Sequence, residues 1–319
     1  MSQNFDQWIR KVSLLVLTDG KAIDLSEFRI RFQVQNADFE SPNNAAIRVY
    51  NLSTETINKI RGQGEFGRVV LNAGYVNGNF GVVFDGTIVQ FRIGRESNID
   101  TYLDILAMDG DIAYNQGIVK TSVAKGAKPG DLLTEAAKAM NAEGGAMPVL
   151  TDGHGTASIR GTVMFGMARA QMRYLSSSLD CSWSIQNGKV NVVKFDGYLP
   201  GEAIDLNRGT GVVGVPEQTD NGIKITCLLN PKLRIGGLAK LTNEEFNKLI
   251  QRDPNAAPLL YNQWAGIQFN TPLSKDGTYR MYSIEHEGDT RGNAWFSHLI
   301  CLAVDLTSNT VQGVNNGPT

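Results

Sequence analysis

Strict alternation of apolar and polar residues marks the clearest element of the sequence, residues 28–35. Successive side chains of a β-strand point to opposite faces, so this pattern separates an apolar face from a polar one. The segment predicts a half-buried strand, long enough to line a barrel or to form a sheet edge. Its members are Phe28, Arg29, Ile30, Arg31, Phe32, Gln33, Val34 and Gln35.

Residues 1–115 predict a β-dominated first domain with one short helix over residues 53–61, which Ser53 caps. The dipeptides Asn77-Gly78 and Asp85-Gly86 predict tight hairpin turns, because these residue types accept the positive φ that such turns need. Further strands are expected at residues 12–17, 46–50, 68–75, 82–84, 87–93 and 99–107.

Residues 116–200 predict a small α+β domain. Apolar residues at helical spacing indicate one helix that opens at Gly130-Asp131 and another over residues 165–179. The turn Asn187-Gly188, between strands at 181–185 and 190–193, predicts a β-hairpin.

Residues 201–222, rich in Gly, Pro and polar residues, predict a linker to a second β-rich domain over residues 223–306. Thr242 and Glu245 form a capping box, which predicts a helix that ends near Arg252. Strands are expected at 223–229, 237–241, 263–269, 279–286 and 295–304, and a frayed tail at 307–319.

An internal repeat links the two β-rich domains. Each contains a Gly-led short strand (67–71 and 236–241), then a DGT tripeptide, a strand, a charged turn, a strand and an Ala-x-Asp tripeptide. The tripeptides are Asp85-Gly86-Thr87 with Ala107-Met108-Asp109, and Asp276-Gly277-Thr278 with Ala303-Val304-Asp305. The shared order predicts a β-rich α+β fold in which two related barrel-like β domains flank a small α+β middle region.

Composition narrows the possible functions. Lys plus Arg number 30 and Asp plus Glu 32, so the chain lacks the broad basic field that holds nucleic acid by its phosphates. The three cysteines stand far apart in apolar runs, which predicts buried thiols in a reduced compartment. The first residues lack the apolar stretch of a signal peptide, and we expect a protein made and kept in a cytoplasm.

Several motifs match catalytic or binding patterns only in part. Residues 62–67 match GxGxxG, but a helix precedes and a strand follows, the reverse of a dinucleotide site, so a glycine turn is expected. His154 is expected in an exposed loop. Ser176, Ser177 and Ser178 lack the GxSxG context of a nucleophile.

The segment His286-Glu287-Gly288-Asp289, with His298 twelve residues after His286, is the best candidate for a metal or a general base. A zinc site needs three or four converging ligands, whereas these carboxylates stand where a hairpin must turn, so a solvated turn is favoured. We expect no catalytic residue, no metal and no cofactor.

Several stretches together resemble the baseplate hub proteins of contractile-tailed bacteriophages, which are related to hub modules of other contractile injection systems. The matches run in family order from about residue 28 to 304, and residues 243–263 depart from the compact pattern. They are residues 47–53, 71–75, 85–88, 160–161, 183–185, 187–190, 227–233, 277–280 and 286–289.

The resemblance implies a structural, non-enzymatic virion protein of the tail baseplate, assembled in the host bacterial cytoplasm. It implies a homotrimeric ring that adapts a six-fold tail tube, or tube-initiator protein, to a three-fold spike protein. Tape measure protein and then DNA would pass through the lumen, which suits a net charge of −2. No membrane anchoring is implied. The interface residues expected are those of strand 28–35 and, at the polar turn, Glu287, Asp289 and Arg291.

Two alternatives remain open at the level of the sequence. One is an oligosaccharide- or oligonucleotide-binding barrel, which exposed aromatic platforms would favour. The other is a cell-wall hydrolase component, which would rest on His286, Glu287 and Asp289.

Overall fold

A large mixed β-sheet organises the chain in a computed structural model. The structure describes residues 7–18, 21–61, 67–140, 143–144, 157–195, 197–219, 222–241 and 277–304. The protein has a β-rich α+β fold. Within the described residues, no helix is long and apolar enough to cross a membrane. The helix expected from Thr242, the strand expected at 263–269, His154 and the tail lie outside the described residues.

The first part of the chain contains seven strands and one helix. They are β1 (Arg10–Thr18), β2 (Lys21–Asp24), β3 (Ile30–Ala37), β4 (Asn44–Tyr50), α1 (Thr54–Arg61), β5 (Arg68–Tyr75), β6 (Phe80–Arg95) and β7 (Thr101–Met108). Ser53 accepts a hydrogen bond from the Thr56 amide, which confirms the predicted helix cap.

The middle part alternates helices with short strands. They are α2 (Asp111–Gln116), β8 (Ile118–Val123), α3 (Pro129–Ala139), β9 (Glu143–Gly144), β10 (Thr162–Met167), α4 (Ala168–Ser178), β11 (Cys181–Gln186) and β12 (Lys189–Lys194). Asn187 and Gly188 join β11 to β12 with φ of 53° and 75°, the left-handed pair that the Asn-Gly hairpin predicts. The helix expected over residues 165–179 is shorter, because residues 162–167 pair with β8.

The last part returns to strands. They are β13 (Ile204–Leu206), β14 (Glu217–Thr219), β15 (Gly222–Leu228), β16 (Leu238–Leu241), β17 (Thr278–Asp289) and β18 (Trp295–Ala303), with a 3₁₀ turn at Arg208–Thr210. The predicted linker therefore contains β13, which pairs with β16, and β14, which pairs with β15.

The described residues contribute thirteen strands to the large sheet, and its main path runs β14-β15-β18-β17-β3-β4-β7-β6-β5-β1-β2. Among the described residues, buried side chains form three clusters, one in the first part, one in the middle part and one in the last. Trp295, from β18, packs edge-on against Phe32 at 5.6 Å between ring centroids and so joins the first core. The two β-rich parts are thus continuous through one sheet.

One predicted turn is wrong. Asp85-Gly86 does not turn the chain but lies inside β6, a single strand of 16 residues. A side chain at Gly86 would stand 2.6 Å from the Met108 carbonyl oxygen, so glycine allows close approach of the strands here rather than a hairpin. Asn77-Gly78 does form the turn between β5 and β6.

Two units of the sheet repeat the same strand order. The first unit is β3-β4-β7-β6-β5 and the second unit is β14-β15-β18-β17-β16. β4 and β15 both have seven residues, and the long strands β6 and β17 carry β-bulges at corresponding places, after Ile88 and after Met281. The predicted repeat therefore exists as a topology, while the barrel-like shape of each unit stays a prediction.

The strand register shows that the tripeptides of the repeat do not lie at equivalent positions in the two units. Ile88 pairs with Ala107 beside the first bulge, and Met281 pairs with Cys301 beside the second. Thr87 therefore corresponds to Arg280 rather than to Thr278. The second hairpin is longer by two residues at its open end, so the DGT and Ala-x-Asp tripeptides of the repeat are not equivalent in space.

Candidate functional site

Strand β3 confirms the alternation of the sequence but lies inside the sheet. Ile30, Phe32 and Val34 are buried, whereas Arg31, Gln33 and Gln35 are exposed on the opposite face. Both edges of β3 are paired, one with β4 and the other with β17. Of the two predicted roles, the sheet edge is excluded, and only the polar face of β3 is available to a partner.

The residues just before β3 hold it in place. Phe28 is partly buried against the first core. The guanidinium of Arg29 lies 4.5 Å from the Tyr50 ring centroid and bonds Asp289 at 2.8 Å. Neither residue belongs to the strand itself.

Charged and amide side chains cross-link the polar face of the sheet. Arg48 on β4 donates two hydrogen bonds to Asp104 on β7, at 2.7 and 3.0 Å, and its guanidinium stacks on Tyr102 at 3.8 Å. The bonds to Asp104 raise the pKa of Arg48. On β3, Gln33 donates to Glu285 of β17. Such cross-strand pairs hold neighbouring strands in register.

Hydrogen bonds to the Asp289 carboxylate stabilise the turn between β17 and β18. Asp289 is buried and accepts hydrogen bonds from Arg29 and from the amides of Arg291 and Gly292. Burial raises the pKa of Asp289, but these donors outweigh it, so the pKa lies below its ordinary value. Arg291 is exposed at the turn, and Glu287 is half-buried on the polar face. The interface role predicted for these residues stays a prediction.

The two histidines of the hairpin face opposite sides of the sheet. His286 is buried and pairs with the Ser297 hydroxyl at 2.7 Å, and burial lowers its pKa to about 4. His298 lies on the polar face, 3.1 Å from the Thr226 hydroxyl and 3.7 Å from Glu287. They do not converge, and the described residues hold no group of three or more His, Cys, Asp or Glu placed for a metal ion.

A buried ion pair that the sequence did not reveal joins all three parts of the chain. Arg280 of β17 bonds Asp38, which follows β3, and both side chains are almost fully buried. Ser182 of β11 donates to Asp38 at 2.7 Å and accepts from Arg280 at 3.1 Å. Arg280 also donates to the backbone carbonyl of Lys194 at 2.7 Å. We call Asp38, Ser182 and Arg280 the buried latch.

A second buried carboxylate docks the middle part onto the sheet. Asp109, just after β7, accepts hydrogen bonds from the amides of Asn187 and Gly188 at the β11–β12 turn. Burial raises the pKa of Asp109 to about 6, against the opposing effect of these amides. A carboxylate in this position anchors a turn, so its perturbed pKa has a structural cause.

The other candidate residues have structural surroundings. Ser176 is buried in α4 and donates to the Met172 carbonyl, a bond within the helix. The three cysteines are buried thiols, as expected. Of the GxGxxG match only Gly67 lies in the described residues, between α1 and β5, in the reversed order that the sequence indicates.

Comparisons with known proteins find a baseplate hub family by sequence and tail proteins by structure. A sequence model of the family described as "Baseplate hub gp41" matches residues 9–253. No curated protein sequence matches the chain. The 43 kDa tail protein of prophage MuSo2 from Shewanella oneidensis superposes with a TM-score of 0.57 at 8% identity, covering 92% of this chain and 97% of that one.

A second solved structure is similar over the same extent. The tail protein from Neisseria meningitidis MC58 has a TM-score of 0.54 at 10% identity, covering 92% of this chain and 97% of that one. At such identities the likeness concerns the fold alone. The family assignment rests on the sequence model, which spans most of the chain, and by that match the protein belongs to the baseplate hub gp41 family of phage tails.

Proposed function

We propose that the chain forms a homotrimeric ring at the hub of a phage tail baseplate, where it adapts a six-fold tail tube to a three-fold central spike. The observation that carries this proposal is the repeated strand order of the first and second units. Three copies of a chain with two similar units place six similar units around one axis. Such a ring presents quasi-six-fold symmetry to the tube and true three-fold symmetry to the spike.

The charge distribution supports a passage through the ring. The polar face of the sheet carries both signs, as in the Arg48–Asp104 pair, and the chain as a whole has a net charge of −2. A surface of mixed charge lacks the continuous positive field that retains DNA. Tape measure protein and then DNA could therefore pass without being held.

The proposed role is structural and non-enzymatic, in the virion tail baseplate. Direct partners would be the spike protein and the tube or tube-initiator protein. The hydrolase alternative would need His286 to reach a substrate, but this side chain is buried and bonded to Ser297. The binding-module alternative would rest on exposed aromatic side chains such as Trp8, Phe165 and Tyr174, but the family match and the repeated strand order support the hub.

The oligomeric state of the purified chain tests the proposal. We expect light scattering to give three times the chain mass of 34.8 kDa for the chain alone, or that mass plus the mass of the bound spike protein of the same virus when the spike protein is added. Electron micrographs should show a ring with pseudo-six-fold density. A monomer that forms no ring, even with the spike protein, would refute the proposed function.

A further inference from the structure

The last six of the 16 residues of strand β6 have one edge that pairs with no strand among the described residues. β5 pairs with β6 from Phe80 to Thr87, and the Ile88 amide still donates to the Gly67 carbonyl. From Gln90 to Arg95, β6 pairs with β7 on one side only. We call residues 90–95 of β6 the open edge.

The same part of the equivalent strand is covered in the second unit. β17 pairs with β16 up to Arg280 and then with β3 over Ser283–Asp289. With the two bulges aligned, residues 90–95 of β6 correspond to residues 283–288 of β17. The first strand of one unit thus covers the long strand of the other, and the open edge is the place where this contact is missing.

The backbone of the open edge is ready to form a strand ladder. Glu96 donates to the Asp100 carbonyl, and in an antiparallel pair such bonds recur at every second residue. The amides of Phe91, Ile93 and Arg95 therefore point away from β7. Ile93 is 52% exposed, although its counterpart on β17, His286, is 2% exposed under the cover of β3.

The other end of the sheet carries the matching strand. β14 is the first strand of the second unit, pairs with β15 on one side, and ends the main path of the sheet. It corresponds to β3, which covers β17. A ring of similar units repeats one contact at every seam, so the contact β17·β3 within a chain requires β6·β14 between chains.

We propose that the open edge of β6 binds β14 of a second copy as an antiparallel strand, which closes the ring. This inference rests on the proposed function and names its subunit interface. The register of β3 on β17, transferred to this seam, places Gly94 opposite Glu217 and Arg92 opposite Thr219 of the second copy.

Charge complementarity supports this register. Within the chain, Gln33 of β3 bonds Glu285 of β17 on the diagonal of the ladder. Their counterparts at the seam are Glu217 and Arg92, which are both exposed and opposite in charge. The position that a Gln33–Glu285 hydrogen bond occupies within the chain is thus taken by a Glu217–Arg92 ion pair at the proposed seam between chains.

A proline substitution tests the backbone ladder. Proline is tolerated where the strand amide faces solvent, as that of Ile93 does in the monomer, but it cannot donate to an added strand. Ile93→Pro should keep the fold and lose the trimer. Ile93→Thr keeps the amide and should stay trimeric. A trimer of unchanged stability in Ile93→Pro would overturn the proposal.

Charge reversal tests the partner strand independently. Arg92→Glu and Glu217→Arg should each weaken every seam by about tenfold, and so the closed ring with its three seams by about a thousandfold. The double variant should recover the trimer. A mixture of the two single variants should recover it only in part, to about tenfold weaker than the wild type, because a ring of three cannot alternate and always keeps one like-charged seam.

A matched control and the wild type separate the possible failures. Lys120→Glu makes the same charge change on β8, away from the seam, and should leave the mass unchanged. If the wild-type chain forms no ring, the proposed function fails. If it forms a trimer that both single charge reversals leave equally stable, the ring stands and this interface is wrong.

Discussion

The buried latch gives the sharpest test of how the three parts of the chain are held together. Arg280→Met keeps the length of the side chain but removes its charge and its donors. The Asp38 carboxylate, with 1% of its side chain exposed, then keeps only the Ser182 hydroxyl among the contacts of the latch. Removing one partner of a buried ion pair costs about 3–5 kcal/mol, because the remaining charge stays buried without compensation.

The matched control is an ion pair of the same chemistry at the surface. Arg68 makes two hydrogen bonds with Asp85 at 2.7 and 2.6 Å, but its side chain is 60% exposed. Arg68→Met should therefore cost less than about 1 kcal/mol. At ~2–4 °C per kcal/mol for a body of this size, Arg280→Met should lower the Tm by about 10 °C, and Arg68→Met by at most a few degrees.

Thermal unfolding followed by circular dichroism measures both variants, and a double variant completes the cycle. Asp38→Asn combined with Arg280→Met leaves no buried charge, so it should be more stable than Arg280→Met alone. If Arg280→Met lowered the Tm no more than Arg68→Met, the buried ion pair would not stabilise the fold as its burial predicts. A double variant less stable than Arg280→Met would contradict the account of an uncompensated Asp38.

Three further predictions follow from single sites. The pKa of Asp109 is raised from 3.8 to about 6, so its contribution to stability is full below pH ~4 and decreases by ~3 kcal/mol as the pH rises to ~6. The pKa of His286 is lowered from 6.5 to about 4, so its contribution is full above pH ~6.5 and decreases by ~3 kcal/mol as the pH falls to ~4. The two slopes oppose each other between pH 4 and 6. In urea titrations across this range, Asp109→Asn should lose stability as the pH falls, whereas His286→Gln should gain it, and parallel curves for the two variants would contradict both assignments. Gly288→Ala would place a methyl group 2.4 Å from the Phe32 ring and should cost about 1–3 kcal/mol, and an unchanged urea midpoint would contradict this.

Local patterns determined most of the elements. Alternation located β3, and the Asn187-Gly188 dipeptide located its hairpin, because strand periodicity and positive φ are properties of a few neighbouring residues. The turn predicted at Asp85-Gly86 is wrong because it, too, was inferred from only two neighbouring residues. The dipeptide is compatible with a turn, but the pairing of β6 with β5 and β7 kept the chain extended there.

The buried latch was beyond any local pattern. Asp38, Ser182 and Arg280 come from three parts of the chain, separated by 98 residues or more. A charged residue on a strand normally indicates a solvated face, and only the packing of the middle part against the sheet buries this one. A lone arginine between Tyr279 and Met281 was the one local sign of it.

The sequence by itself determined the β-rich character, the internal repeat and the resemblance to baseplate hub proteins. These depend on short-range periodicity and on the order of motifs along the chain. Tertiary structure decided which strands have covered edges. It placed β3 inside the sheet, covered β17 with β3, and left residues 90–95 of β6 without a second partner among the described residues. Strand pairing is non-local, because the hydrogen bonds of a strand edge join residues far apart in sequence. An unpaired edge can therefore be recognised only after the neighbouring strands have been located in space.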